Sequence, residues 1–422
     1  MPADPPAETP AETPADGPKS RWVAFKYPGF LRYWLARVSG NLAVQIVSIA
    51  VALQVYDLTR DPLDLGLVGL VLFLPSILLV LVTGTVADRF PRRTIMGVCL
   101  LVEAACATGL LLMTFDGLTS VLPIFGVLVV FGTARAFFGP AVQSLVTNLV
   151  PEDHLGEAIA WNSSGWQAAT ILGPVIGGLL YAVAPEVAYI GGLATFLFAA
   201  FMILSIARPS QKTTKEPASW ETLVAGFKYI WKEKIVLGAI TLDLFAVLLG
   251  GATALLPIYA TDILDAGPTG LGVLRAAPGV GAVLTAVWLT RYPVRDHVGL
   301  AMFFFVGAFG LLIVVFGFST TMWLSIPALA LSGAADMISV YIRQTLVQLW
   351  TPDAMRGRVN AVNMVFIGAS NELGEFRAGV MAAAIGTVHA VTIGGAATVG
   401  IAALWAKMFP ELRRARHLDG RV

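Results

Sequence analysis

Twelve runs of about 20 or more apolar residues, separated by short polar segments, limit this chain more than any other feature. They cover approximately 32–57, 65–87, 93–115, 120–149, 156–183, 188–207, 236–260, 269–290, 298–318, 321–349, 357–383 and 388–408. Each is long enough to cross a bilayer as one helix, and a helix satisfies its own backbone polar groups in hydrocarbon. Composition argues against a soluble fold. Of 422 residues 57% are hydrophobic and 13% charged, against roughly a quarter charged in globular domains. Mean hydropathy is +0.77. The expected fold is therefore an all-α polytopic membrane protein with twelve transmembrane helices.

Basic residues orient the helices. With both termini inside, the cytoplasmic segments hold Lys19, Arg21, Lys26, Arg32, Arg89, Arg92, Arg93, Arg208, Lys212, Lys215, Lys228, Lys232, Lys234, Arg291, Arg295, Arg356, Arg358, Lys407, Arg413, Arg414, Arg416 and Arg421. That is 22 of the 28 lysines and arginines. Arg60 alone falls in an external loop, and the outer segments carry acids instead: Asp57, Asp61, Asp64, Asp116, Glu186, Asp262 and Asp265. The bias places both termini in the cytoplasm.

Residues 1–24 are expected as a disordered cytoplasmic tail, since residues 1–20 are rich in Pro, Ala, Asp and Glu and have no signal-peptide pattern. A first six-helix half covers 25–207, a cytoplasmic linker 208–235, a second half 236–408 and a basic tail 409–422. Within the linker, Trp220, Leu223, Val224, Phe227 and Trp231 recur at helical spacing beside lysines. The pattern fits an interfacial amphipathic helix, or a simple lead-in to the seventh crossing. The halves are related at an offset of 201 residues. Gln143 meets Gln344, Pro151 meets Pro352, Gly156 meets Gly357, Asn162 meets Asn363, Gly173 meets Gly374 and Gly178 meets Gly379. Two repeats of this kind are a transporter architecture.

The polar loop between the second and third runs reads Gly84-x-x-x-Asp88-Arg89-x-x-Arg92-Arg93. It resembles the signature loop of the major facilitator superfamily, with Pro91 where glycine is usual. The resemblance extends over about 25–410 and implies two pseudo-symmetric halves working by alternating access. It also implies that Gly84, Asp88, Arg89, Arg92 and Arg93 form an inner gate, Asp88 latching onto the eleventh helix when the inside is closed. The bland reading of the arginines is topology and contact with lipid phosphates. Arg135, with Gly139 one turn later, resembles a second superfamily motif. Its arginine either forms a fixed ion pair or biases proton affinity at a nearby acid. Gly173-Pro174-Val175-Ile176-Gly177-Gly178 resembles a third, found in proton-driven exporters, though these residues also suit tight helix packing. The segments Thr351–Val359, Ser370–Phe376 and Asp243–Phe245 with Gly250–Thr253 resemble the bacterial enterobactin-exporter-like, drug-efflux branch.

Five acids fall inside the runs: Glu103, Asp243, Asp336, Glu372 and Glu375. An acid at membrane depth is a candidate proton carrier. Glu372 and Glu375 lie one turn apart on one face, with Arg377 and Arg343 as possible counter-charges. Arg135, Asp243, Asp336, Glu372 and Glu375 are thus the expected coupling residues. Asn41, Gln45, Phe138, Arg343 and Asn371 are the expected cavity residues. The four histidines lie in loops or at helix ends, which makes a histidine relay improbable.

Cys99 and Cys106 share one apolar run and read as small buried residues. The chain shows no Walker loop, no metal-ligand spacing and no dinucleotide pattern. The reading is a transporter rather than an enzyme, with no cofactor and no nucleic-acid partner. It is expected to be a monomer in the bacterial cytoplasmic membrane, with protons and a small molecule as partners. Export of an amphipathic siderophore- or drug-like compound by proton antiport leads. Uptake of a metabolite by symport or facilitated passage, or a lipid-handling role without solute transport, stand as alternatives.

Overall fold

The structure is a computed structural model and describes residues 22–207 and 220–418. The N-terminal tail as far as residue 21, residues 208–219 of the linker and the last four residues lie outside the described residues. Among the described residues all regular structure is helical.

A single 3₁₀ turn, Val23–Lys26, leads into α1 (Pro28–Thr59), α2 (Pro62–Leu78), α3 (Val80–Arg89), α4 (Arg92–Phe115), α5 (Leu122–Leu145), α6 (Glu152–Val183) and α7 (Pro185–Leu204). The second half runs α8 (Trp220–Lys232), α9 (Lys234–Gly250), α10 (Leu256–Ile258), α11 (Gly267–Arg291), α12 (Val298–Gly317), α13 (Met322–Trp350), α14 (Asp353–Ile385), α15 (Thr387–Met408) and α16 (Pro410–Arg414). Among the described residues ten helices, counting Lys234–Ile263 as one, are long and apolar enough to cross a membrane. The shorter apolar α2, continued by α3, and the long but charged α14 complete twelve crossings. Large apolar side chains such as Val183, Phe201, Phe304 and Leu311 are left exposed on the outside of the bundle, as hydrocarbon requires.

Two expected helices are broken. The second divides at Leu79, just after Pro75, whose ring removes one backbone donor and crowds the preceding turn. The seventh ends at Gly250, turns at Gly251–Ala252 and resumes through α10 into a π-helical turn, Tyr259–Ile263. The described residues next to both tails pack on the bundle. Ala24 is fully buried and its N–H donates to the Glu157 carboxylate at 3.3 Å. In the basic tail, Leu412 is buried and the Arg416 carbonyl accepts from the Val298 N–H at 3.4 Å.

Twelve alternating crossings bring both described ends to one face. That basic face carries Arg89, Arg92, Arg93, Lys228, Lys232 and Lys234; the opposite, acidic face carries Asp57, Asp61, Asp262 and Asp265. Several cations of the basic face close helix C-termini, whose last carbonyls lack helical donors. Arg92 donates to Ser144 O at the end of α5 (2.7 Å), Arg32 to Ser205 O just beyond α7 (2.7 Å), and Arg93 to Leu204 O. Arg356 does the same for α13, donating to Gln348 O (3.0 Å) and Thr351 O (3.2 Å).

The halves meet along two helix pairs, α2 with α14 and α6 with α11. Glycine makes both approaches possible. A Cβ on Gly66 would lie 3.1 Å from Gly379 Cα, and Gly178 and Gly272 leave no room for a side chain against Pro268 and Pro174. The end of α1 touches α10 nearer the acidic face. Toward the basic face α6 and α11 separate, leaving a cleft of about 560 Å³ lined by Ser163, Gln167, Ala282, Ala286 and Met337. α3 packs on α5 and α4 of its own half.

Candidate transport cavity and its charged groups

A cavity of about 280 Å³ lies between the halves. Its wall comes from α1 (Val44, Ser48, Val51), α2 (Val68, Gly69, Leu72, Phe73) and α5 (Phe131, Gly132, Arg135). The second half adds Thr253, Pro257, Arg275 on α11, and Glu372 and Glu375 on α14. The lining is largely apolar, with four charged side chains, so a guest would bury an apolar body and face charge at a few points.

Glu372 and Glu375 reach across the interface. A Cβ on Gly69 would sit 2.9 Å from Glu372 Oε2 and 3.0 Å from Glu375 Oε2, so both carboxylates press on the backbone of α2. The cation whose charge acts on both is Arg275. Neither expected counter-charge takes that place. Arg377 Nη2 approaches Gly251 O (3.4 Å), at the break after α9, and its Nη1 approaches Met381 Sδ (3.1 Å). Arg343 pairs with Asp243 (3.2 Å). Arg275 was visible in the sequence as a lone arginine in an apolar run, but only the α11–α14 geometry names its partners.

Arg135 links the cavity to a deeper acid. Its Nη1 lies 3.8 Å from Glu103 Oε1, and its guanidinium stands 5.4 Å from the Phe138 ring. Glu103 is wholly buried, and neither of its carboxylate oxygens has a hydrogen bond. A third charged group stands inside the second half. Asp243 and Arg343 are both buried, Arg343 also donates to Asn363 Oδ1 (3.1 Å), and the charge of Asp336 acts together with theirs.

The other sequence candidates have structural surroundings. Asn41 donates to Trp166 O (3.3 Å) and Thr170 Oγ1 (3.1 Å), tying α1 to α6. Gln45 packs on Gly173, and Gly177 lies against Ile46 of α1, so the glycines around Pro174 serve α1 on one side and α11 on the other. Asn371 is exposed and turns back to Ile367 O (2.9 Å). Asn41, Gln45, Phe138, Arg343 and Asn371 are not among the residues lining the cavity between the halves. Gly84 lies in α3, and Arg89 at its end is exposed; the Asp88 side chain lies outside those described.

The chain resembles known transporters over nearly its whole length. Residues 19–419 match the family model described as transmembrane secretion effector, MFS_3. The enterobactin exporter EntS of Escherichia coli O1:K1 / APEC is 26% identical over 406 residues, covering 94% of this chain and 95% of the relative. EntS of Shigella flexneri is 25% identical over 414 residues, with the same coverage. Among solved structures, a bacterial homolog of the human lysosomal transporter Spinster, inward-facing and unoccupied, superposes with a TM-score of 0.70. It is 14% identical, covering 96% of this chain and 99% of its own. A bacterial homologue of the iron transporter ferroportin, also inward-facing, gives 0.68 at 16% identity, covering 92% and 98%. These likenesses agree with the twelve-helix bundle described above, and the chain belongs to the transmembrane secretion effector family of major facilitator superfamily transporters.

Proposed function

We propose that this transporter is a proton-coupled antiporter that exports an amphipathic, siderophore- or drug-like molecule from the cytoplasm by alternating access. One observation carries the reading: two carboxylates of the second half, Glu372 and Glu375, meet the backbone of the first half at Gly69 inside the cavity. A titratable pair at the surface where two halves part ties proton binding to the change of access. While α2 covers them, the carboxylates are half-buried in the cavity wall and opposed by Arg275. A single bound proton then leaves the three groups neutral. When α2 and α14 separate, water reaches the pair and the proton can leave or enter.

The basic face sits in the cytoplasm in this reading, as the positive charges favour. The separated side of α6 and α11 then faces the cytoplasm, where a molecule for export is taken up. α8 lies along the same interface: Phe227 and Trp231 stack at 5.9 Å on an exposed face next to Lys228 and Lys232, which suits contact with anionic headgroups. The membrane is the bacterial cytoplasmic membrane, and the enterobactin exporters supply the first cargo to try.

The test is flux into proteoliposomes under an imposed pH gradient, with enterobactin and ethidium as separate probes. Antiport predicts movement of at least one probe against the proton gradient, abolished by a protonophore. Flux that follows the proton gradient in the same direction contradicts antiport, and no gradient-dependent flux of either probe contradicts the proposal as a whole.

A further inference from the structure

Arg60 is the one basic residue in the loops of the acidic face among the described residues, and the cavity does not use it. It stands at the turn between α1 and α2 with φ 52°, its N–H closing α1 on Tyr56 O, and Asp61 next to it caps α2 through the Leu63 N–H (2.9 Å). That turn aims the side chain across the interface. Arg60 Nη1 lies 3.0 Å from Asp262 Oδ1, and the Tyr56 hydroxyl donates to Asp262 Oδ2. Both oxygens of a second-half carboxylate are therefore held by the first half. Asp262 belongs to the π-helical turn Tyr259–Ile263, a rare geometry that places it there. Arg60 is itself held by Asp57 (3.6 Å) and by the face of the Tyr56 ring (5.1 Å), and Tyr181 donates to Asp57 (3.1 Å).

We infer that Arg60 and Asp262, with Tyr56, form an outer latch that sets the ratio between the two access states. The inference rests on the alternating-access reading above and adds to it the residues that close the outer side. The latch spans the two halves, so it breaks whenever that side opens. Arg60 and Asp262 side chains are 57% and 44% exposed, so the latch biases an equilibrium rather than locking it. Loss of one exposed pair shifts the ratio about fivefold.

Ser48 lines the cavity on the acidic side of mid-membrane. With Ser48→Cys in the full chain, a membrane-impermeant maleimide applied to spheroplasts reports opening to the outside. Cys99 and Cys106 are buried, and protein lacking Ser48→Cys gives their background. Arg60→Ala and Asp262→Asn are each expected to raise labelling about fivefold, and the exchange Arg60→Asp with Asp262→Arg to bring it back most of the way. Unchanged labelling in both single variants overturns the latch. Two wedges keep that outcome distinct from failure of alternating access. Gly379→Trp forces α2 from α14, and Gly178→Trp forces α6 from α11. Labelling with a folded wedge but not with the latch variants refutes the latch alone. If neither wedge labels, alternating access fails and the latch with it.

Discussion

The two halves place a buried asparagine at matching positions, 201 residues apart, and give it different company. In the first half Asn162 donates to the Tyr33 hydroxyl (3.3 Å), which donates to Val142 O (2.8 Å). In the second half Asn363 accepts from Arg343, at the position matching Val142, and Arg343 pairs with Asp243. In the first half the amide thus meets a neutral hydroxyl, on which Arg37 acts in turn, whereas in the second it meets a guanidinium directly. About two turns away the contrast sharpens: Arg135 of the first half corresponds to Asp336 of the second. Backbone packing, by comparison, is repeated faithfully. Gly132 lets α5 lie directly on Leu72 of α2, and its counterpart Gly333 lets α13 lie directly on Pro278 of α11. At this pair of contacts nothing larger than hydrogen fits, so both copies keep the glycine. Where a side chain answers to a partner on a neighbouring helix, each copy follows its own partner. The second half has thereby collected Asp243, Asp336, Glu372 and Glu375, four of the five acids inside the apolar runs.

The comparison breaks most readily at Arg343. Arg343→Met leaves Asp243 buried without its cation and should cost about 3–5 kcal/mol. Denaturant unfolding of purified protein in mixed micelles measures this. Adding Asp243→Leu should recover most of the loss, since a buried ion pair contributes little beyond the desolvation it offsets. A double variant no more stable than Arg343→Met would mean that the charges serve more than each other. Replacing Gly132 or Gly333 by Ala should destabilise both halves alike, by about 1–3 kcal/mol, because each Cβ meets backbone rather than a movable side chain. Unequal costs would show that the packing repeat is less exact than the glycine pair implies. Smallest is the amide itself. Asn162→Leu should cost about 1 kcal/mol and Asn363→Leu about 2, since only Asn363 bonds a charged group. Equal costs would show that bonding a guanidinium directly, rather than a hydroxyl, makes no difference to the amide.

The crossings were legible because hydrocarbon imposes one requirement on every residue of a span, and the repeat was legible in part because Gly178 and its counterpart Gly379 are fixed by backbone contact. The breaks at Leu79 and Gly251 were not, since a proline or glycine in an apolar run is tolerated as often as it interrupts. Partners of the charged residues were least legible. Arg377 lies two residues from Glu375 in sequence, yet positions two apart on a helix point in different directions, and its side chain leaves toward Gly251. Arg275, about a hundred residues away, reaches the pair because α11 and α14 enclose one cavity. Pairing of Arg135 with Glu103 likewise depends on how α4 and α5 are turned, which periodicity alone does not give.

Proton release on cargo binding tests the coupling most directly. Purified protein in weakly buffered detergent, with a pH-indicator dye, is titrated with whichever of enterobactin or ethidium it transports. The account predicts that binding displaces protons from the wild-type chain and that Glu372→Gln with Glu375→Gln abolishes the release while the protein stays folded. Undiminished proton release from the double variant would contradict it.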